Sequence, residues 1–297
     1  MSNAVDLGGG VRCLLAPNPS PMTGPGTNSY LVGPADGGAG RLAVIDPGPD
    51  IPAHLDALRA AIGERGVSHI LVTHAHLDHA PLAAALSAVS GAPVLAYGDA
   101  GAGRSAMMRR LSAGGLAGGG EGVDHAFVPD RVLSDGELVR GEGWQLEAIW
   151  TPGHFGNHMC FALGETIFSG DLVMGWASSL VSPPDGDLGR FMTSCARLAA
   201  RGAARLLPGH GDPVEDPVAR IEWLLAHRRA REAQIMQALA EGPATAAELT
   251  AVIYVETPPA LHPAAARNVF AHLLDLHERG AVTADPEPAQ NAIFTVA

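Results

Sequence analysis

Residues 71–79 read L-V-T-H-A-H-L-D-H. Three of the chain's 13 histidines and an aspartate stand within six positions, directly after the apolar run Ile70-Leu71-Val72. A short apolar run of this kind has the pattern of a buried strand. Alternate side chains of extended backbone share a face, so His74 and His76 can swing toward one point. Two imidazoles begin a zinc or iron site, yet a catalytic site needs a third protein ligand and an open position. Either that ligand comes from elsewhere in the chain, or the stretch is a solvated loop that happens to be rich in histidine.

Three later motifs have the same character. T-P-G-H places His154 in a tight turn after the strand-like run 144–150, S-G-D places Asp171 after the run 166–169, and P-G-H-G places His210 after the run 205–207. Four strand ends thus deliver His or Asp into loops, most of them sharpened by glycine, which is how a site is assembled on a rigid scaffold.

Around these motifs the first part of the chain alternates between two periodicities. Residues 28–33 and 41–46 read as strands, 51–65 as a helix with Leu55, Leu58 and Ile62 at helical spacing, 68–73 as a buried strand and 81–89 as another helix. Residues 158–163 add a strand, and 188–201 a helix. Residues 113–122, A-G-G-L-A-G-G-G-E-G, offer almost nothing to pack and are expected to form a mobile loop. From Val218 the texture becomes helical. A long amphipathic helix, a short one opened by threonine, a third closed by glycine and a terminal pair of strand-like segments (281–283 and 292–296) give a winged-helix outline. The expected organisation is α/β for residues 1–217 with a small winged-helix-like domain over 218–297.

H-A-H-L-D-H, T-P-G-H, S-G-D and P-G-H-G, in this order, resemble the metallo-β-lactamase superfamily. The resemblance implies a four-layer αβ/βα sandwich and a two-metal hydrolase. It implies that His74, His76 and His154 bind one ion, that Asp78, His79 and His210 bind a second, and that Asp171 bridges them. Zinc is the expected metal, two ions per chain; iron or manganese also suits a ligand set without thiolate. Asp78 is expected to position the water nucleophile while ligating. N-P-S-P-M-T-G-P-G-T-N-S-Y-L-V-G near the start, H-R-R-A-R-E-A-Q-I after P-G-H-G and the winged-helix tail are similar to the β-lactamase-like protein 2 group. Phe155 departs from that pattern, which usually has a small or hydroxylated residue after T-P-G-H, and this bears on substrate shape.

Several neighbours have two readings. Asp46, ending the strand V-I-D, either orients a ligand histidine or caps a turn. Asn28 and Tyr30 either line a substrate pocket or belong to an ordinary turn. His158 has no assigned role, and His54, His69, His125, His227, His262, His272 and His277 read as surface or packing residues.

Composition excludes other classes. No G-x-S-x-G nucleophile elbow occurs, nor a G-x-G-x-x-G between strand and helix. Cys13, Cys160 and Cys195 are widely spaced and odd in number, suggesting neither a disulfide framework nor a thiolate zinc site. No stretch approaches a membrane span, and the first ten residues lack the basic and apolar segments of a secretory signal, so a cytoplasmic protein is expected. The formal net charge is −12, the basic residues are all arginine, and the stretch from Val218 onward holds six arginines against nine acidic residues. A polyanion is therefore repelled at long range. The expected substrate is a small ester, thioester or lactone; the alternative is single-stranded RNA, with the tail as a nucleic-acid or partner module. The more ordinary expectation is that the tail packs on the sandwich, walls the pocket and helps form a homodimer.

Overall fold

The computed structural model describes residues 4–258 and 261–297. A seven-stranded sheet runs in sequence order: β1 (Val5–Gly8), β2 (Val11–Leu15), β3 (Asn28–Val32), β4 (Leu42–Ile45), β5 (Val67–Leu71), β6 (Val94–Ala96) and β7 (Arg131–Val132). Its first four strands are antiparallel and β4 to β7 are parallel. Parallel neighbours require a crossover. Here α1 (Pro52–Ile62) joins β4 to β5, α2 (Leu82–Ser90) joins β5 to β6, and α3 (Ala106–Ala113) lies between β6 and β7. A five-stranded sheet follows from β8 (Leu138–Gly141), β9 (Trp144–Trp150), β10 (Met159–Leu163), β11 (Thr166–Gly170) and β12 (Arg205–Pro208), with α4 (Leu188–Ala199) as the crossover into β12, which lies parallel to β11.

The period of two along β3 shows how the layers form. Tyr30 and Val32 face the second sheet, where they meet Phe161, Phe168 and Leu207, while Leu31 faces the other way, into a cluster with Leu58 and Leu86 of the covering helices. Both faces of β3 and β4 are therefore covered, which is why N-S-Y-L-V and L-A-V-I read as runs rather than as alternating strands. On the far side of the second sheet, Ile149, Ile167 and Leu206 pack with Phe191 and Leu198 of α4. Helix, sheet, sheet, helix is the expected four-layer order.

The tail consists of α5 (Pro217–Ala240), α6 (Ala246–Ile253), α7 (His262–Glu278) and a hairpin of β13 (Val282–Asp285) with β14 (Ile293–Val296). Thr245 caps α6, and with Glu248 it forms a reciprocal capping box. Ile235, Leu239, Leu249, Phe270 and Phe294 share a core that Met108 and Leu111 of α3 complete. The earlier turns of α5 do not belong to it: Ile221, Leu224 and Leu225 pack into the cluster beneath the second sheet. A boundary at 217 thus falls at the start of a helix that serves both parts. Among the described residues, no helix is long and apolar enough to cross a membrane.

β1, β2, β6, β7, β8 and α3 have no counterpart in the sequence reading. Five of these are strands of two to five residues, too short for a period to register.

Candidate metal centre

β5 ends at Leu71, and the next residues turn along the rim of the sandwich with Thr73, His74, His76, Asp78 and His79 all buried. The turns after β9, β11 and β12 bring His154, Asp171 and His210 to the same place, also buried. Two groups of donors result. One atom from each of His74, His76, His154 and Asp171 lies within 4.8 Å of the others, and the same holds for Asp78, His79 and His210. Asp171 reaches both groups, with Oδ2 3.7 Å from His154 Nε2 and 3.4 Å from His210 Nε2, and Oδ1 3.5 Å from His79 Nε2. Gly209 permits this closeness, since a Cβ there would come within 2.3 Å of Asp171 Oδ1.

Each histidine of the two groups but His76 has its outward nitrogen occupied. His154 Nδ1 donates to the Leu180 carbonyl at 2.7 Å and His210 Nδ1 to the Gly26 carbonyl at 3.1 Å. His79 Nδ1 donates to Asp46 Oδ2 at 2.8 Å. The same carboxylate oxygen accepts from Thr73 Oγ1 at 2.7 Å, so that hydroxyl has its lone pairs free to accept from His74 Nδ1 at 2.9 Å. Asp46 Oδ1 completes the arrangement by accepting the Thr73 N–H at 2.7 Å. These bonds fix tautomers and turn Nε2 of all four rings inward. Asp46 therefore orients two of the histidines, and the anchoring holds a non-glycine residue at φ 51°, in the left-handed region.

The inward atoms fit a divalent ion. Asp78 Oδ1, His79 Nε2 and Asp171 Oδ1 are buried without a hydrogen-bond partner, and buried polar atoms rarely remain so. His74 Nε2 and His154 Nε2 converge on His76 Nδ1 at 2.8 and 3.1 Å, three imidazole nitrogens around one point. Five imidazoles and two carboxylates without a thiolate suit zinc, iron or manganese.

The electrostatics divide along the same line. Burial pushes His74 well below the usual histidine range and His76 down to about 3, and it lowers His154 despite Asp171. Burial opposes protonation of His79 and His210 too, but Asp78, Asp171 and Asp46 raise His79 well above its ordinary value, and Asp171 with Asp78 raises His210 to about 10. Burial would raise both carboxyls, yet His79 and His210 hold Asp78 and Asp171 well below the carboxylate range. Burial thus favours the neutral form of the three imidazoles beside Asp171, whereas the carboxylates favour protons on His79 and His210, which a bound cation would displace.

Other sequence expectations are placed as follows. Asn28 and Tyr30 are buried, and their polar atoms engage backbone: Asn28 Nδ2 donates to the carbonyls of Pro208 and Gly211 at 3.0 and 2.8 Å, and Tyr30 Oη donates to Pro208 at 2.7 Å. They pin the loop that carries His210. His158 lies outside both donor groups; its Nε2 accepts the Asp171 N–H at 3.2 Å, while Nδ1 bonds Thr151 Oγ1 at 2.9 Å. Phe155 is fully buried, with its ring centroid 4.9 Å from that of His76 and 5.9 Å from that of His74, so it backs the two imidazoles. The glycine-rich segment 113–122 makes hydrogen bonds to other parts of the chain. Ser20 Oγ donates to Glu121 Oε1 at 2.8 Å, Leu77 N to the Gly122 carbonyl at 3.0 Å, and Arg267 Nη2 to the Ala117 carbonyl. Two of these contacts use its backbone and one the Glu121 side chain, and Gly120 lies beside His76. Sequence reasoning misses Thr73 and the Leu180 and Gly26 carbonyls. V-T-H offers a signal for Thr73; a carbonyl brought in by a distant loop has none.

Comparison with known proteins agrees with this geometry. Residues 22–210 match the metallo-beta-lactamase superfamily, and 245–289 match the beta-lactamase associated winged helix domain. A beta-lactamase-like protein 2 homolog of Drosophila melanogaster is 31% identical over 277 residues, covering 90% of this chain and 87% of that protein. The crystal structure of a metallo-beta-lactamase family protein from Thermus thermophilus aligns over 97% of this chain and 99% of its own, with 28% identity and a TM-score of 0.75. A further structure, described as a di-iron-bound form, aligns over 70% of this chain and 97% of its own at 27% identity and a TM-score of 0.51. With two donor clusters on a four-layer sandwich and a matching winged-helix tail, this chain belongs to the metallo-beta-lactamase superfamily.

Proposed function

We propose that this superfamily hydrolase cleaves a small ester, thioester or lactone, using two divalent ions held by His74, His76 and His154 on one side and Asp78, His79 and His210 on the other, with Asp171 shared. Zinc is the metal proposed first; iron is the alternative supported by the di-iron relative. The observation that carries the reading is the pair of buried donor groups spanned by one carboxylate. When bound, such ions supply Lewis acidity and lower the pKa of water to about 7.

The chain's own residues supply position and proton handling. Asp78 Oδ2 is engaged by His210 Nε2 at 3.1 Å, Thr27 Oγ1 at 3.3 Å and His79 Nε2 at 3.4 Å, whereas Oδ1 has no partner. A carboxylate fixed by one oxygen can align a nucleophile and accept a proton on the other.

The substrate class draws support from a cleft of about 250 Å³ between the sandwich and the tail. Met22, Met174, Trp176, Leu180, Tyr254 and Leu261 are among its walls, and no charged residue is. Trp176 closes over Gly211, beside His210, where a Cβ would come within 2.6 Å of the indole. Uncharged walls suit an apolar acyl or aromatic group and offer no cation to a phosphate chain. The test is turnover of a panel of thioesters, lactones, simple esters, β-lactams and single-stranded RNA, with zinc, manganese or ferrous iron supplied. Cleavage of uncharged acyl substrates supports the reading. Salt-sensitive cleavage of RNA alone replaces it with the nuclease alternative.

A further inference from the structure

We propose that the tail is a working part of the metal cage: Arg228 and Asn268 are positioning residues that hold the Leu180 carbonyl against the ligand His154. The inference rests on the metal-binding reading above and concerns how one ligand is kept in place.

Four consecutive residues, 179–182, form the loop in question, and each is tied. Leu180 accepts from His154 Nδ1 at 2.7 Å. Val181 N donates to Asn268 Oδ1 at 3.1 Å, and Arg228 Nη1 donates to the same oxygen at 2.9 Å. Arg228 Nη2 donates to the Ser179 carbonyl, and Arg267 Nε donates to Ser182 Oγ at 2.8 Å. The residues on both sides of Leu180 are thus fixed from α5 and α7, and Leu180 itself is buried.

Arg228 is 2% exposed. Among the described residues it makes no ion pair, its guanidinium lies 5.4 Å from the Phe191 ring centroid, and its Nε has no hydrogen-bond partner. Burying a cation without a counter-charge opposes folding, and packing alone would be served better by a methionine. What the guanidinium adds is its planar fork of donors. One arm reaches the loop backbone and the other the amide that receives the loop's next N–H. The same H-R-R-A-R stretch places His227 in a stack on Trp223 and Arg231 over Tyr254, which lines the cleft. The motif is thereby explained as a brace between tail and site.

The consequence is chemical. While Leu180 accepts from Nδ1, the lone pair of His154 is on Nε2, 3.1 Å from His76 Nδ1 and 3.7 Å from Asp171 Oδ2. If the loop drifts, the ring loses both tautomer and direction, and outer supports of this kind are worth about 10- to 100-fold in metal affinity.

The experiment titrates zinc into the metal-free full chain against a chelating dye, for the unmodified protein, Asn268→Ala, Asn268→Asp and Leu249→Ala. Asn268→Ala should weaken the ion at the His154 site about 10- to 100-fold. Asn268→Asp, which keeps an oxygen for Val181 N and Arg228, should restore most of that loss. Leu249→Ala, in the core around α6 and without a polar contact to the loop 179–182, should lower stability to urea but leave affinity unchanged. With cobalt as the probe, Asn268→Ala should also alter the visible spectrum. Unchanged affinity in Asn268→Ala overturns the proposal, as does an equal loss in Leu249→Ala, which would make the effect one of general stability. The readout needs no substrate. A protein that binds both ions but hydrolyses nothing in the panel sinks the hydrolase reading and leaves the brace standing, while one that binds no zinc, iron or manganese sinks both.

Discussion

The two ends of the metal cage are supported in different ways. On the side of His74 and His79 the support is local: Asp46, directly after β4, holds both rings directly or through Thr73, inside the sandwich. On the side of His154 the support is a backbone carbonyl in a loop whose neighbours are fixed by α5 and α7. A side chain at a strand end moves only when the sheet moves, whereas a loop carbonyl is as steady as whatever grips the loop. His74, His79 and His210 therefore depend on the sandwich alone, and His154 on the tail as well.

The largest expected effect falls on Asp78, which shares its donor group with His79 and His210. Asp78→Ala removes both the carboxylate that His79 and His210 share and its free oxygen, so turnover should drop by about 10²- to 10⁴-fold through lost proton handling alone. Far-ultraviolet circular dichroism should be unchanged. Retained turnover would show that neither Asp78 nor its donor group is required.

Asp46→Ala strikes the sandwich half. It strands the Thr73 N–H and the His79 Nδ1–H in a buried site, so unfolding in urea should show a loss of about 1–3 kcal/mol, and metal affinity should fall about 10- to 100-fold. Both donor groups should be affected, because Asp46 serves a histidine in each. Loss confined to one ion would mean that the path from Asp46 through Thr73 to His74 is ornamental.

This division also explains what can be read in advance. The seven donors are legible because ligand chemistry restricts residue type and because strand ends followed by glycine turns leave a sequence trace. The central strands are legible as apolar runs for the same reason that they are buried on both faces. Asn28 and Tyr30 stand beside a glycine-rich turn and look pocket-facing, but their polar atoms are consumed by the Pro208–Gly211 segment, a partner some 180 residues away that no local pattern announces. The support of His154 is invisible for a related reason, since a carbonyl has no residue-type signature and its grip comes from two helices late in the chain. The glycine-rich segment 113–122 reads as empty because it has few side chains, and the contacts it makes, by its backbone and by Glu121, leave no pattern in the sequence.

Acid should weaken the tail through one buried histidine. His272 on α7 is 1% exposed, with neither ring nitrogen hydrogen-bonded, and burial pushes it down to about 3, helped by the positive charges of Arg228, Arg279 and Arg231. A histidine depressed by folding takes its proton more readily in the unfolded chain. Its contribution is therefore complete above the unfolded value of 6.5 and is lost as pH falls from there toward 3. At pH 5 the loss amounts to about 2 kcal/mol. Urea unfolding of His272→Leu should show a shallower decline of stability between pH 7 and 5 than the unmodified protein. An unaltered slope would mean that the acid sensitivity lies elsewhere.

Thr245→Ala produces the smallest effect and separates stability from support most cleanly. The Thr245 hydroxyl and the Glu248 carboxylate cap α6 reciprocally on an exposed rim of the tail, and neither touches α5, α7 or the loop 179–182 through a polar contact. Losing the cap should cost about 1 kcal/mol, seen as a lower urea midpoint with an unchanged slope. Zinc affinity should not change, because α7 reaches the cage through Asn268 and Arg267, which the cap does not position. A fall in affinity after so remote and mild a change would mean that the tail acts on the cage through its overall stability, and the distinction between a local brace and a general one would disappear.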